Sequence, residues 1–252
     1  MAIALVAWVL WWDVARWYEA FSVGQQPASF SVLFLALLVS LTGLAFLLFR
    51  KKWLALSLGS LVWLAYFSNF PLSKLSLLGF GILILLSLKS AADISGELDQ
   101  RTKINSRVIL RRGMMPFLVG IFILASFAAF ESPAINRFKN MQSLPSETEG
   151  YIRVLVENTI GKNIKVRTEA DRKNVIDQVS KETTHELNTF LEPYFPYAPP
   201  ALAFTLFLIL WGLSWIFVWL SVFLGMLIFW ILKKTKVVKI EEKDVKAEVL
   251  VV

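Results

Sequence analysis

The chain has 252 residues, 56% of them hydrophobic, with 20 Phe, 10 Trp and a formal charge of +7. Long Leu-, Phe- and Trp-rich blocks separated by short charged segments exclude an ordinary soluble globule, and the lack of alternating ten-residue segments excludes a transmembrane barrel. The basic residues cluster beside the apolar blocks, where orientation signals fall, which argues against a nucleic-acid partner, and the absence of cysteine removes disulfides, thiolate nucleophiles and Cys-based metal sites.

Met1–Val23 begins with 12 apolar, Trp-rich residues, after which Asp13, Arg16 and Glu19 recur every three residues as one charged stripe. The segment either spans a bilayer or lies in its interface as an amphipathic helix. The bulky apolar start, together with Trp17 and Tyr18 in positions suited to an interfacial belt, favours a span. A basic leading region and a small-residue cleavage site are missing, so a cleaved signal peptide is not expected. Asp13 and Arg16 are candidate intramembrane groups, and their i, i+3 spacing predicts a mutual ion pair.

Phe30–Phe49 is 20 uncharged residues, and only Arg50, Lys51 and Lys52 separate it from the uncharged run Trp53–Phe70. So short a connection predicts an antiparallel helical hairpin. Ser68-Asn69-Phe70-Pro71 predicts a second tight turn into a span over 71–92, whose apolar run Leu75–Leu88 is flanked by Lys74 and Lys89. Lysines so placed can reach the interfaces with their side chains. A basic loop over 93–115 follows, then a span over 116–130.

The polar segment 131–200 predicts two amphipathic helices. Ser146 to Glu149 has the form of a capping box, Ile152, Val156 and Ile160 follow at helical spacing, Tyr151 pairs with Leu155, and Gly161 suits a C-cap. The β-branched run Tyr151–Val156 also fits a strand; caps at both ends favour the helix. In the second helix Thr168 can cap, Val175, Val179, Leu187 and Leu191 share a face with Ile176 and Phe190, and Glu192-Pro193 ends it. Two such helices bury too little for a good independent core, so they should pack on each other, on the membrane or on another subunit.

Ala201–Leu232 holds 32 residues without an ionisable side chain and ends at Lys233, Lys234 and Lys236. As one helix it would reach about 48 Å, against about 30 Å of hydrocarbon, so it must tilt, bend or protrude. In the tail 233–252, Val245, Ala247, Val249 and Val251 alternate with Lys246, Glu248 and Leu250. This fits a β-hairpin strand able to add to a partner's sheet edge, and equally a mobile tail with incidental valines.

With the amino terminus inside, the connections 50–52, 89–115 and 233–252 carry three, six and six Lys/Arg, 15 together, whereas 24–29 and 71–74 carry one. That asymmetry predicts six spans in a cell membrane, both termini cytoplasmic and 131–200 extracytoplasmic. The expected fold class is all-α: a polytopic helical membrane protein with a membrane domain over 1–130, a small, mainly helical extracytoplasmic domain over 131–200, a long final transmembrane helix over 201–232 and a cytoplasmic tail.

Chemistry is sparse. His185 in Glu182-Thr-Thr-His185-Glu186 lacks the second histidine of a zinc-protease helix, since Thr189 stands there, and lacks the partner copy of a di-iron motif. It reads as a solvated helix face. Gly161-Lys162 lacks the rest of a phosphate loop. No catalytic residue, metal or cofactor is expected. Ala125 with Ala129, and Ser221 with Gly225, have the small-xxx-small spacing of close helix packing. The expected role is a non-enzymatic anchor, assembly subunit or sensor-like relay in the lipid bilayer, joined to a protein partner or to further copies through membrane helices, outer domain or tail. The alternative is an oligomeric channel or transporter component.

Overall fold

The computed structural model describes residues 1–22, 31–100, 105–133, 135, 146–159 and 169–238. Their regular elements are all helical: α1 (Ala2–Ser22), α2 (Ser31–Phe49), α3 (Lys52–Phe67), α4 (Lys74–Asp99), α5 (Ser106–Gly113), α6 (Met115–Glu131), α7 (Ser146–Thr159), α8 (Glu169–Leu191), a 3₁₀ segment (Glu192–Tyr197), α9 (Ala198–Gly212) and α10 (Ser214–Lys234). By length and composition five helical segments can cross a membrane: Ser31–Phe49, Lys74–Asp99, Ser106–Glu131, Lys173–Gly212 and Ser214–Lys234; Lys52–Phe67 is a shorter apolar helix. The proposed caps Thr168 and Gly161, the side chain of Ser146 and the alternating segment 245–251 lie outside what is described. The chain divides into two compact units, Met1–Ser132 with Ala203–Val252, and Pro133–Leu202.

In the first unit the sequence determines each turn. Arg50 ends α2 with φ 48°, the left-handed conformation that closes many helices, and its N–H bonds Phe46 O at 3.2 Å. Its guanidinium pairs with Asp99, joining the end of α2 to the end of α4. At the other end Ser73 and Ser76 form a capping box at 3.0 Å in both directions, and Trp63 Nε1 donates to Ser76 O at 3.1 Å, tying α3 to α4. Aromatic rings fill the space between α1 and α3: Trp11 is fully buried, edge-on to Tyr66 and Phe70 with centroids at 5.0 and 6.1 Å.

Small residues set the helix approaches. A Cβ on Gly120 would meet Leu83 of α4 at 2.9 Å, one on Gly79 would meet Leu124 of α6 at 2.6 Å, and one on Gly225 would meet Leu110 at 3.1 Å and Ser40 at 3.3 Å. Phe217 meets Phe122 while Gly225 meets Leu110 and Ser40, so α10 runs antiparallel to α6 and parallel to α2. Lys233 and Lys234 therefore lie at the same end of this unit as Arg50 and Asp99.

Two expectations change. The block 201–232 is not one long helix: α9 stops at Gly212, Leu213 adopts ψ 0°, and α10 restarts at Ser214. Glycine is a weak helix residue, and a break is one of the ways an over-long apolar block can fit a bilayer. The loop 93–115 is largely helical. α4 continues to Asp99 because Ala91 and Ile94 keep an apolar face on the core, and Ser106-Arg-Val-Ile-Leu-Arg-Arg-Gly113 forms α5 with Ile109 and Leu110 fully buried.

In the second unit α7 and α8 pack through Ile152, Val156 and Ile176, with Val179 and Leu187 against them. The run Tyr151–Val156 is helical. Val175 and Phe190 do not join that face; they are 37% and 66% exposed.

Candidate functional site

The first unit contains an apolar cleft of about 320 Å³ beside α1, lined by Trp11, Trp17, Tyr18, Leu35, Phe122, Leu210 and their neighbours. Of the charged stripe of α1, Asp13 is tied to the cleft through a lining residue. Asp13 is only 9% exposed and accepts a 2.6 Å hydrogen bond from Ser31 Oγ, a cleft residue on α2. Arg16 instead lies over the ring of Trp12, 4.7 Å from its centroid. The two groups predicted as an ion pair thus face different neighbours. A buried carboxylate needs such a hydrogen-bond donor to offset its desolvation. The cleft is suited to an acyl chain or another apolar group.

The four candidate packing residues are placed within the chain. Ser221 and Gly225 sit buried on α10, and the Gly225 position faces Leu110 and Ser40; Ala129 is 1% exposed, and the Ala125 carbonyl accepts from Tyr18 Oη at 2.9 Å. Their small size allows close approach between helices of one chain.

In the second unit an ion pair of 2.8 Å, Arg153 to Asp177, ties α7 to α8. It lies in a polar cleft of about 540 Å³ also lined by Glu149, Lys181 and His185. His185 is exposed, and no group of three His, Cys, Asp or Glu able to hold a metal occurs among the described residues. Ser180 and Thr184 direct their hydroxyls to the carbonyls of Ile176 and Ser180 in their own helix, at 2.7 and 2.8 Å.

The feature missed in the sequence is a second apolar face on α7. Ile152 and Val156 are buried against α8, whereas Tyr151, Val154 and Leu155 are 73%, 54% and 64% exposed. Their i, i+3, i+4 spacing places them together on the surface. The sequence pairs Tyr151 with Leu155, and the structure adds Val154 to them and leaves all three uncovered by α8. Comparison of the chain with protein-family models, curated proteins and solved structures gave no match.

Proposed function

We propose that this protein is a non-enzymatic membrane anchor or assembly subunit, with both termini cytoplasmic, that presents its α7–α8 unit outside the membrane to a protein partner. The observation that carries the reading is the exposed Tyr151–Val154–Leu155 face. Glu149, Arg153 and Glu157 flank it, giving α7 the apolar centre and polar rim of a protein-binding helix. Tyrosine at its centre is typical of residues that dominate binding energy. The short-loop charge asymmetry supports the orientation, as does the common end of Arg50, Asp99 and Lys233.

The test is purification in mild detergent, comparing wild type with Tyr151→Ser/Leu155→Ser by light scattering and by identification of bound protein. The reading predicts a fixed partner or oligomer that the double variant loses while keeping its helical signal. A monomer with no bound protein, or a complex indifferent to the substitutions, contradicts it. The second reading, a channel or transporter component, draws on the apolar cleft beside α1, which favours an apolar solute over an ion; solute flux into vesicles would support it.

A further inference from the structure

Five aromatic residues, Trp11, Trp17, Tyr18, Phe122 and Phe217, wall the apolar cleft beside α1. The hydroxyls of two lining residues are committed as donors, Tyr18 Oη to the Ala125 carbonyl at 2.9 Å and Ser31 Oγ to Asp13 Oδ2 at 2.6 Å. The buried Asp13 carboxylate therefore stands directly behind the Ser31 hydroxyl and sets negative charge against one wall of the cleft. Arg16, one turn on, is drawn to the ring of Trp12 rather than to this carboxylate.

These surroundings select the ligand. Aromatic rings attract cations over their faces, and a carboxylate in a low-dielectric setting acts over several ångströms. Together they are complementary to an apolar body that carries positive charge, and the same carboxylate repels a fatty-acid or phosphate group. An inorganic cation needs several oxygen ligands, but no carboxylate or amide side chain occurs among the lining residues. A primary ammonium needs acceptors for three N–H groups. A quaternary ammonium has no N–H to satisfy and presents only methyl groups to the rings, the arrangement that aromatic cages exploit. The volume of about 320 Å³ lies at the small end of pockets that hold small molecules.

We propose that this cleft binds a hydrophobic organic cation of the quaternary ammonium class, held by its aromatic wall and by the buried charge of Asp13. The site uses no residue of the α7–α8 face, so its failure leaves the partner-binding role untouched. It gives the apolar solute of the second reading a single positive charge.

Phenyltrimethylammonium and its uncharged isostere tert-butylbenzene, titrated into the full chain in maltoside detergent and followed by tryptophan fluorescence, test it. Wild type should bind the cation saturably and about tenfold more tightly than the isostere. Asp13→Asn, which keeps an acceptor for Ser31, should weaken the cation about tenfold and the isostere by less than about twofold. Trp17→Leu, which keeps the wall apolar but removes a partly exposed ring, should weaken the cation by about two- to fivefold. Equal binding of cation and isostere by wild type, which requires no variant to fold, overturns the proposal, as does absence of saturation by the cation at millimolar concentration. Undiminished affinity for the cation in a folded Asp13→Asn variant also overturns it and leaves Asp13 a structural partner of Ser31 alone.

Discussion

The phenol of Tyr18 donates a 2.9 Å hydrogen bond to the carbonyl of Ala125, joining the first helix to the sixth across 107 residues of sequence. With Trp11 enclosed by Tyr66 and Phe70, it makes the amino-terminal helix a packed member of the first unit. Trp11→Ala should therefore lower unfolding free energy in detergent by about 3–5 kcal/mol, and Tyr18→Phe by about 0.5–1.5 kcal/mol. Denaturant titration of helical signal measures both. A neutral Trp11→Ala would mean that α1 contributes nothing to the bundle.

Gly225→Leu and Ala129→Leu should reduce folded yield far more than Leu208→Ala. Gly225 faces Leu110 and Ser40 and Ala129 is 1% exposed, whereas Leu208 is 42% exposed. Overpacking costs typically 1–3 kcal/mol, rising where backbone must move. Equal yield and equal extracted size for the three variants would count against the packing described.

Arg50 tests backbone strain against charge. Arg50→Ala and Arg50→Gly both lose the pair with Asp99, which is exposed enough to contribute little. Only glycine relieves φ 48°, so Arg50→Gly should be more stable than Arg50→Ala by about 1 kcal/mol. A more stable alanine variant would contradict the left-handed turn.

His185→Ala should leave metal content and melting temperature of the purified protein unchanged, because His185 is exposed and, among the described residues, no metal-holding cluster forms around it. Stoichiometric transition metal lost in the variant would contradict this.

The apolar helices were legible because uncharged runs bounded by Arg50–Lys52, Lys74 and Lys233 leave few alternatives. What escaped had mixed chemistry. Lys89, Asp93 and Glu97 end the apolar run of α4, yet helical spacing continues through Ala91 and Ile94, and both remain buried. α5 is amphipathic over eight residues, too short to show a clear period. The break at Leu213 carries no proline or charge, only Gly212 before it. Around the candidate site, the buried face of α7 was readable from Ile152 and Val156. The exposed one required knowing which apolar residues α8 covers, a tertiary fact.

Sidedness is the central claim, since a partner-binding role for α7–α8 outside the cell depends on it. Single cysteines at Gln178, Lys52 and Thr235, on a chain that has none of its own, can be probed in intact cells with a membrane-impermeant thiol reagent. The account predicts that Gln178→Cys is labelled at once, and that Lys52→Cys and Thr235→Cys are labelled only after permeabilisation. Labelling of Gln178→Cys only after permeabilisation, or of Lys52→Cys in intact cells, would contradict it.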